Sequence, residues 1–205
     1  MPARRCGHRP ALRKGGATKT NDLESSYWKD ELTSLIDELD SAIRKYNEFD
    51  DPEEAEVLDA IRFRVERALF FSALAVRRLV ESNKVTDMRA NSVVHVIEYR
   101  TVPGSKTETV LGDEWKYDFD TRWNVTLSAK SLFDEILHSH DLRFEEGDGG
   151  DITDFLIASE KNRSRRLLSV ELPKLRSCIR SFALEDVRRI RREVLPDGSV
   201  QVERT

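Results

Sequence analysis

Asp51-Pro52-Glu53-Glu54 opens a stretch whose apolar residues keep helical spacing as far as about Asn83. Asp51 is suited to cap the exposed amides of a helix start. Pro52 at the first helical position gives up no hydrogen bond, and the two glutamates favour the positive end of the helix dipole. Leu58, Ile61, Val65, Ala68, Leu69, Ser72, Val76 and Leu79 line one face. At 1.5 Å per residue the helix would reach about 45 Å, longer than a core of this size needs. Phe63, Phe70 and Leu74 add apolar surface on other faces, so this helix is expected at the centre of a core or shared with a second copy in a homodimer.

A first helix is expected from about Ser25 to Phe49, with Trp28, Leu32, Leu35, Ile36, Leu39, Ile43 and Tyr46 on one face. The short Asp50-Asp51 connection predicts that it folds back antiparallel on the long helix. Beyond Met88 the pattern changes. Val93 to Tyr99 reads as a strand, Pro103-Gly104 as a turn, and Thr107 to Leu111 as a returning strand. Trp115, Tyr117 and Phe119 alternate with charged residues as a further strand would. A third helix is expected from about Leu127 to His138 and a strand from Leu142 to Glu145. Asp154 to Ser159 and Leu167 to Leu172 should form a hairpin, Pro173 should open a fourth helix, and a last hairpin should turn at Pro196-Asp197-Gly198. Helices first and hairpins later define an α+β class: an N-terminal antiparallel helix pair, then β-hairpins with two shorter helices.

The 205 residues suit one domain, 23–205, behind a basic tail, 1–22. Residues 1–20 hold six of the 34 lysines and arginines and no acid, which leaves 28 bases against 38 acids. The tail reads as disordered, with a targeting segment or a nucleic-acid arm as alternatives. An acidic body argues against general nucleic-acid binding. Two cysteines, Cys6 and Cys178, are too few for a disulfide framework and point to a reducing, cytoplasmic setting. No apolar run approaches a membrane span.

Asp134, Glu135, His138, His140 and Asp141 form the densest group of chemistry-bearing side chains. Glu135 and His138 have the Glu-x-x-His spacing that supplies two ligands in carboxylate-bridged metal sites, but such sites need it twice. No His-Glu-x-x-His and no zinc-spaced cysteine pair occurs, so neither metal nor cofactor is expected. Histidines that close a helix C-terminus are the plainer explanation. Gly147-Asp148-Gly149-Gly150-Asp151 is not followed by the pattern of a phosphate loop; a plain hairpin loop is expected, with weak cation binding by Asp148 and Asp151 as the alternative. Cys178 sits at an apolar helical position, as a small hydrophobe does. Arginines cluster at Arg62, Arg64 and Arg67, at Arg77-Arg78, and at Arg188, Arg189, Arg191 and Arg192, with acids interleaved. Arg163, Arg165 and Arg166, at the tip of a hairpin, have no acid among them and are the best candidates for an anion or nucleic-acid contact.

Arg89 and His95 are six residues apart. That spacing resembles the core motif of HEPN ribonucleases, where the pair lies on a helix and dimerisation forms the active site. The resemblance implies proton transfer by His95 and phosphate stabilisation by Arg89. The stretch from Leu132-Phe133-Asp134-Glu135-Ile136-Leu137-His138-Ser139 through Phe155 to Glu160 and Arg165 to Val170 is similar to bacterial proteins of unassigned activity with a helix ending Ile-x-His-Ser before a β-hairpin. It implies a bacterial cytoplasmic origin and no activity. The leading expectation is therefore a non-enzymatic interaction or accessory protein, dimeric through the long helix. The alternatives are an RNA-acting enzyme using Arg89 and His95 or His138, and nucleic-acid binding through the arginines.

Overall fold

The computed structural model describes residues 20–49, 55–104, 116–187, 190–195, 197 and 199–204. The Asp51–Glu54 helix start, the Thr107–Leu111 strand, Trp115, Arg188, Arg189 and the Pro196 and Gly198 turn positions lie outside the described residues. The fold is α+β. Two long helices, α1 (Thr20–Asn47) and α2 (Ala55–Glu81), come first. Arg67 bonds Glu38 and Arg62 reaches Tyr46, so α2 runs antiparallel to α1.

The end of α2 is set by Asn83. Its φ of 62° lets the chain reverse, while the Lys84 amide donates to the Leu79 carbonyl and the Asn83 amide to that of Val80. This closes carbonyls that would otherwise be orphaned. A single helical turn, α3 (Asp87–Ala90), follows, capped by the Thr86 hydroxyl.

The remaining elements are β1 (Val93–Arg100), β2 (Trp123–Ser128), α4 (Ala129–Leu137), β3 (Ser139–Glu146), β4 (Ile152–Ser159), β5 (Arg166–Glu171), α5 (Leu172–Ala183), β6 (Ile190–Val194) and β7 (Val200–Arg204). β1 to β5 form one antiparallel sheet in the order β2-β1-β5-β4-β3, and β6 and β7 pair separately. Two expectations are corrected. The third helix starts at Ala129, because residues up to Ser128 pair with β1 and the Ser128 hydroxyl then caps the helix. The segment from Lys116 to Phe119 is not a strand: Tyr117 makes one isolated bridge to Thr101, and the chain bends at Phe119. Its aromatic side chains cover the sheet instead of extending it.

Alternation along the strands divides the sheet into two unlike faces. Val94, Val96, Phe155, Ile157, Leu168 and Val170 point into a core shared with α1, α2, α4 and α5. Phe133 of α4 meets Phe182 of α5 edge-on, with ring centroids 5.5 Å apart. The opposite face carries Ile97, Tyr99, Leu156, Ala158 and Leu167 under Tyr117 and Phe119. α2 also meets the edge strand β3, where Arg62 lies over Phe144, and the end of α4, where Arg77 reaches His138. No described helix is long and apolar enough to cross a membrane.

Candidate functional site

The covered face of the sheet holds a charged knot beneath α4. Arg166 on β5 donates to Glu98 on β1 at 3.2 Å and to Glu135 on α4 at 2.7 Å. Asn162 donates to the same Glu135 oxygen at 2.6 Å, and Arg100 bonds the other Glu98 oxygen at 3.0 Å while stacking on Trp123. Glu98 and Glu135 are each 9% exposed. Carboxylates this deep persist because the guanidinium between them supplies both charge and directed donors. Glu135 Oε2 and Arg166 Nε are buried without a partner.

The side chains singled out in the sequence are only partly brought together. Glu135 and His138 border one shallow groove of about 490 Å³ with Asp134, Asn162 and Lys161. Their partners differ, however. Glu135 is engaged by Arg166 and Asn162, whereas the His138 ring turns toward α2 and its Nε2 lies 3.3 Å from Arg77. A guanidinium only donates, so it occupies the Nε2 lone pair. Arg77 is held in turn by Glu81 at 2.8 Å.

His140 stands apart from His138. Its Nδ1 is 3.3 Å from Glu160 and its Nε2 is 2.6 Å from Arg163. Arg163 also pairs with Glu160 at 3.1 Å. The arginine tip thus meets acid at two of its three positions: Arg163 at Glu160, Arg166 at Glu98 and Glu135. Arg165 is exposed. Arg89, in the single turn α3, is bound to Glu185 at 3.2 Å. His95 is exposed on β1 opposite Thr126, on the open face. The two residues of the HEPN-like spacing therefore share no helix. Burial in α5 pushes the Cys178 thiol up to about 11, which keeps it protonated and unreactive at neutral pH. Among the described residues no group of three His, Cys, Asp or Glu is placed to hold a metal ion.

Two surface features went unmarked or half-marked in the sequence. One is the outer face of α2, where Phe63 is 64% exposed, Phe70 42%, Phe71 41% and Leu74 36%. With Arg67 stacked on Phe71, the three phenylalanines border a groove of about 570 Å³ against β3. The other is a cleft of about 880 Å³ on the open face of the sheet. Ile97, Leu156, Leu167 and Phe119 line it, Tyr99 packs on Phe119 at 4.8 Å, and Tyr117 bonds the Arg163 carbonyl at 2.9 Å. Burial pushes the Tyr117 hydroxyl up to about 12 and also raises that of Tyr99, which the charge of Glu145 raises further.

Comparison with family models, with curated proteins and with solved structures found no match for the chain.

Proposed function

We propose that the protein is a non-enzymatic interaction protein that works as a homodimer through the outer face of α2. The observation that supports this reading is the exposed row Phe63, Phe70, Phe71 and Leu74. Contiguous large apolar side chains on a surface mark an interaction site more often than scattered ones do.

A second copy is the occupant the pattern suits. A two-fold dimer needs a patch that complements itself. Phe63 and Leu74 lie equally far from the Ala68–Leu69 peptide, as do Arg67 and Phe70, and as do Asp59 and Arg78. Two α2 helices crossing antiparallel there would set Phe63 of each copy against Leu74 of the other, Arg67 over Phe70, and Asp59 opposite Arg78. Apolar meets apolar, cation meets ring and acid meets base. Of the side chains proposed for RNA chemistry, His138 is engaged by Arg77, Glu135 by Arg166 and Arg89 by Glu185, while His95 is exposed on β1 and shares no helix with Arg89.

Cross-linking tests the register. With Cys6 and Cys178 replaced by serine, Phe63→Cys and Leu74→Cys chains are oxidised separately and mixed. The reading expects a disulfide-linked pair in the mixture and little in either chain alone. Equal linkage of Phe63→Cys to itself, or none in any sample, would contradict it.

A further inference from the structure

The outer face of α2 carries charges of opposite sign on its two flanks. On the flank beside α1, Glu38 meets two guanidiniums, Arg67 at 2.7 Å and Arg64 at 3.9 Å. Both contacts fall on the same carboxylate oxygen. One negative charge thus serves two positive ones. Arg67 is only half-buried and also stands over the Phe71 ring, 5.4 Å from its centroid. Its bond to Glu38 uses one nitrogen, and a guanidinium has further donors to offer.

Glu66 lies one residue back and is turned by about 100° around the helix axis, toward β3. It borders the groove there with Phe63, Phe70, His140, Asp141 and Arg143. Among the described residues it forms no ion pair. Withdrawal from water raises its carboxyl above the usual range, and the charge of Arg62, one turn back, offsets this only in part. The cations around the groove have other partners. Arg62 lies 3.6 Å from Asp59 and 3.5 Å from the Tyr46 hydroxyl. Arg143 lies 3.7 Å from Asp141, and His140 sits between Glu160 and Arg163. A carboxylate held against aromatic rings in this way is stabilised by a cation that comes from outside the chain.

We propose that Glu66 of each copy pairs with Arg67 of the other, and that these two reciprocal ion pairs select the partner: a second copy of this chain, in one register. The inference rests on the dimer through α2. Glu66 and Phe71 lie equally far from the Ala68–Leu69 peptide, so the two-fold crossing sets Glu66 of one copy against Phe71 of the other. Arg67 stands over that Phe71 ring, and its guanidinium therefore arrives beside the carboxylate. The same crossing lays Arg67 over Phe70 of the other copy, one turn along the helix from Glu66. A face with an acidic flank and a basic flank complements itself under a two-fold axis, whereas a face of one sign would repel its copy.

Charge reversal in two separate chains tests the pairing, with mass in solution read by light scattering across a dilution series. Glu66→Arg alone and Arg67→Glu alone each set like charges against one another at both pairs. Each should dimerise about tenfold more weakly than the wild type. Mixed in equal amounts, the two chains restore opposite charges at both pairs, and the mixture should come within about threefold of the wild-type affinity. Asp120→Arg, exposed beside Phe119 on the open face of the sheet, should dimerise as the wild type does. Glu66→Gln leaves the Arg67–Glu38 bond intact and should weaken the dimer about threefold. It carries the test if circular dichroism shows that Arg67→Glu does not fold. Single reversed chains as tight as the wild type, a mixture no tighter than its components, or full affinity in Glu66→Gln would each overturn the pairing and leave the dimer standing. A wild type at the single-chain mass throughout would remove the dimer and the pairing together.

Discussion

The two faces of α2 use apolar side chains in opposite ways. The inner face is built of Ile61, Val65, Ala68, Leu69, Ala73, Val76 and Leu79, and these are buried. Such residues fill space densely between helices. The outer face carries three phenylalanines and a leucine, with one arginine stacked among them. Aromatic residues and arginine are what protein interfaces concentrate. The sheet shows a related contrast. Beneath α4 its covered face joins Glu98 to Glu135 through Arg166, while on its open face Glu145, Asp154 and Glu171 stand opposite one another beside a cleft, Glu171 paired with Lys174. In α2 the face that builds the fold is matched internally, and the other face carries large apolar groups that its own packing does not cover.

Substitutions can break or sharpen that contrast. Leu69→Ala on the inner face should cost about 3 kcal/mol in urea unfolding, from lost burial and the cavity left behind. A cost below 1 kcal/mol would mean that the inner face is not the core. Arg166→Met should also cost about 3 kcal/mol, since it removes the guanidinium between Glu98 and Glu135 and leaves them only Arg100 and Asn162 in low dielectric. Adding Glu135→Leu should recover part of that loss; a further fall would show that the knot does not act as a charge-matched unit.

Tyr117→Phe should cost about 1 kcal/mol at neutral pH through the lost bond to Arg163. The folded state holds the Tyr117 phenol neutral up to about 12, against 10 for an ordinary tyrosine. Its contribution is therefore complete below pH 10 and lost as the pH climbs toward 12. The phenylalanine variant should show a shallower alkaline decline, and parallel curves would contradict the assignment. The smallest effect has the opposite sign. Asp154→Asn should stabilise the fold by about 0.5 kcal/mol at low salt, because it breaks the row of like charges. Destabilisation there would show that the row is already compensated within the chain.

How much of this was legible in the sequence depended on the range of the signal. The helix pair was, since 3.6-residue spacing and the short connection after Phe49 are local. So were the hairpin of β4 and β5 and the proline that opens α5. β2 was hidden because Leu127 and Ser128 belong to a strand while also beginning the helical pattern of α4. The apolar excess of α2 at Phe63, Phe70 and Leu74 was visible, but whether it faced a core needed the packing. The knot and the cleft depend on register. Glu98 and Glu135 are far from Arg166 in the chain, and Glu145, Asp154 and Glu171 read singly as ordinary polar strand positions. Only pairing of β3, β4 and β5 brings those three into a row.

The central claim is that the outer face of α2 holds two copies together. Its most direct test is the mass in solution, by light scattering across a dilution series, of the wild type and of Phe63→Glu/Phe70→Glu. The account predicts twice the chain mass for the wild type and the single-chain mass, with unchanged circular dichroism, for the variant. A wild type at the single-chain mass throughout the series, or a variant that remains a dimer, would contradict it.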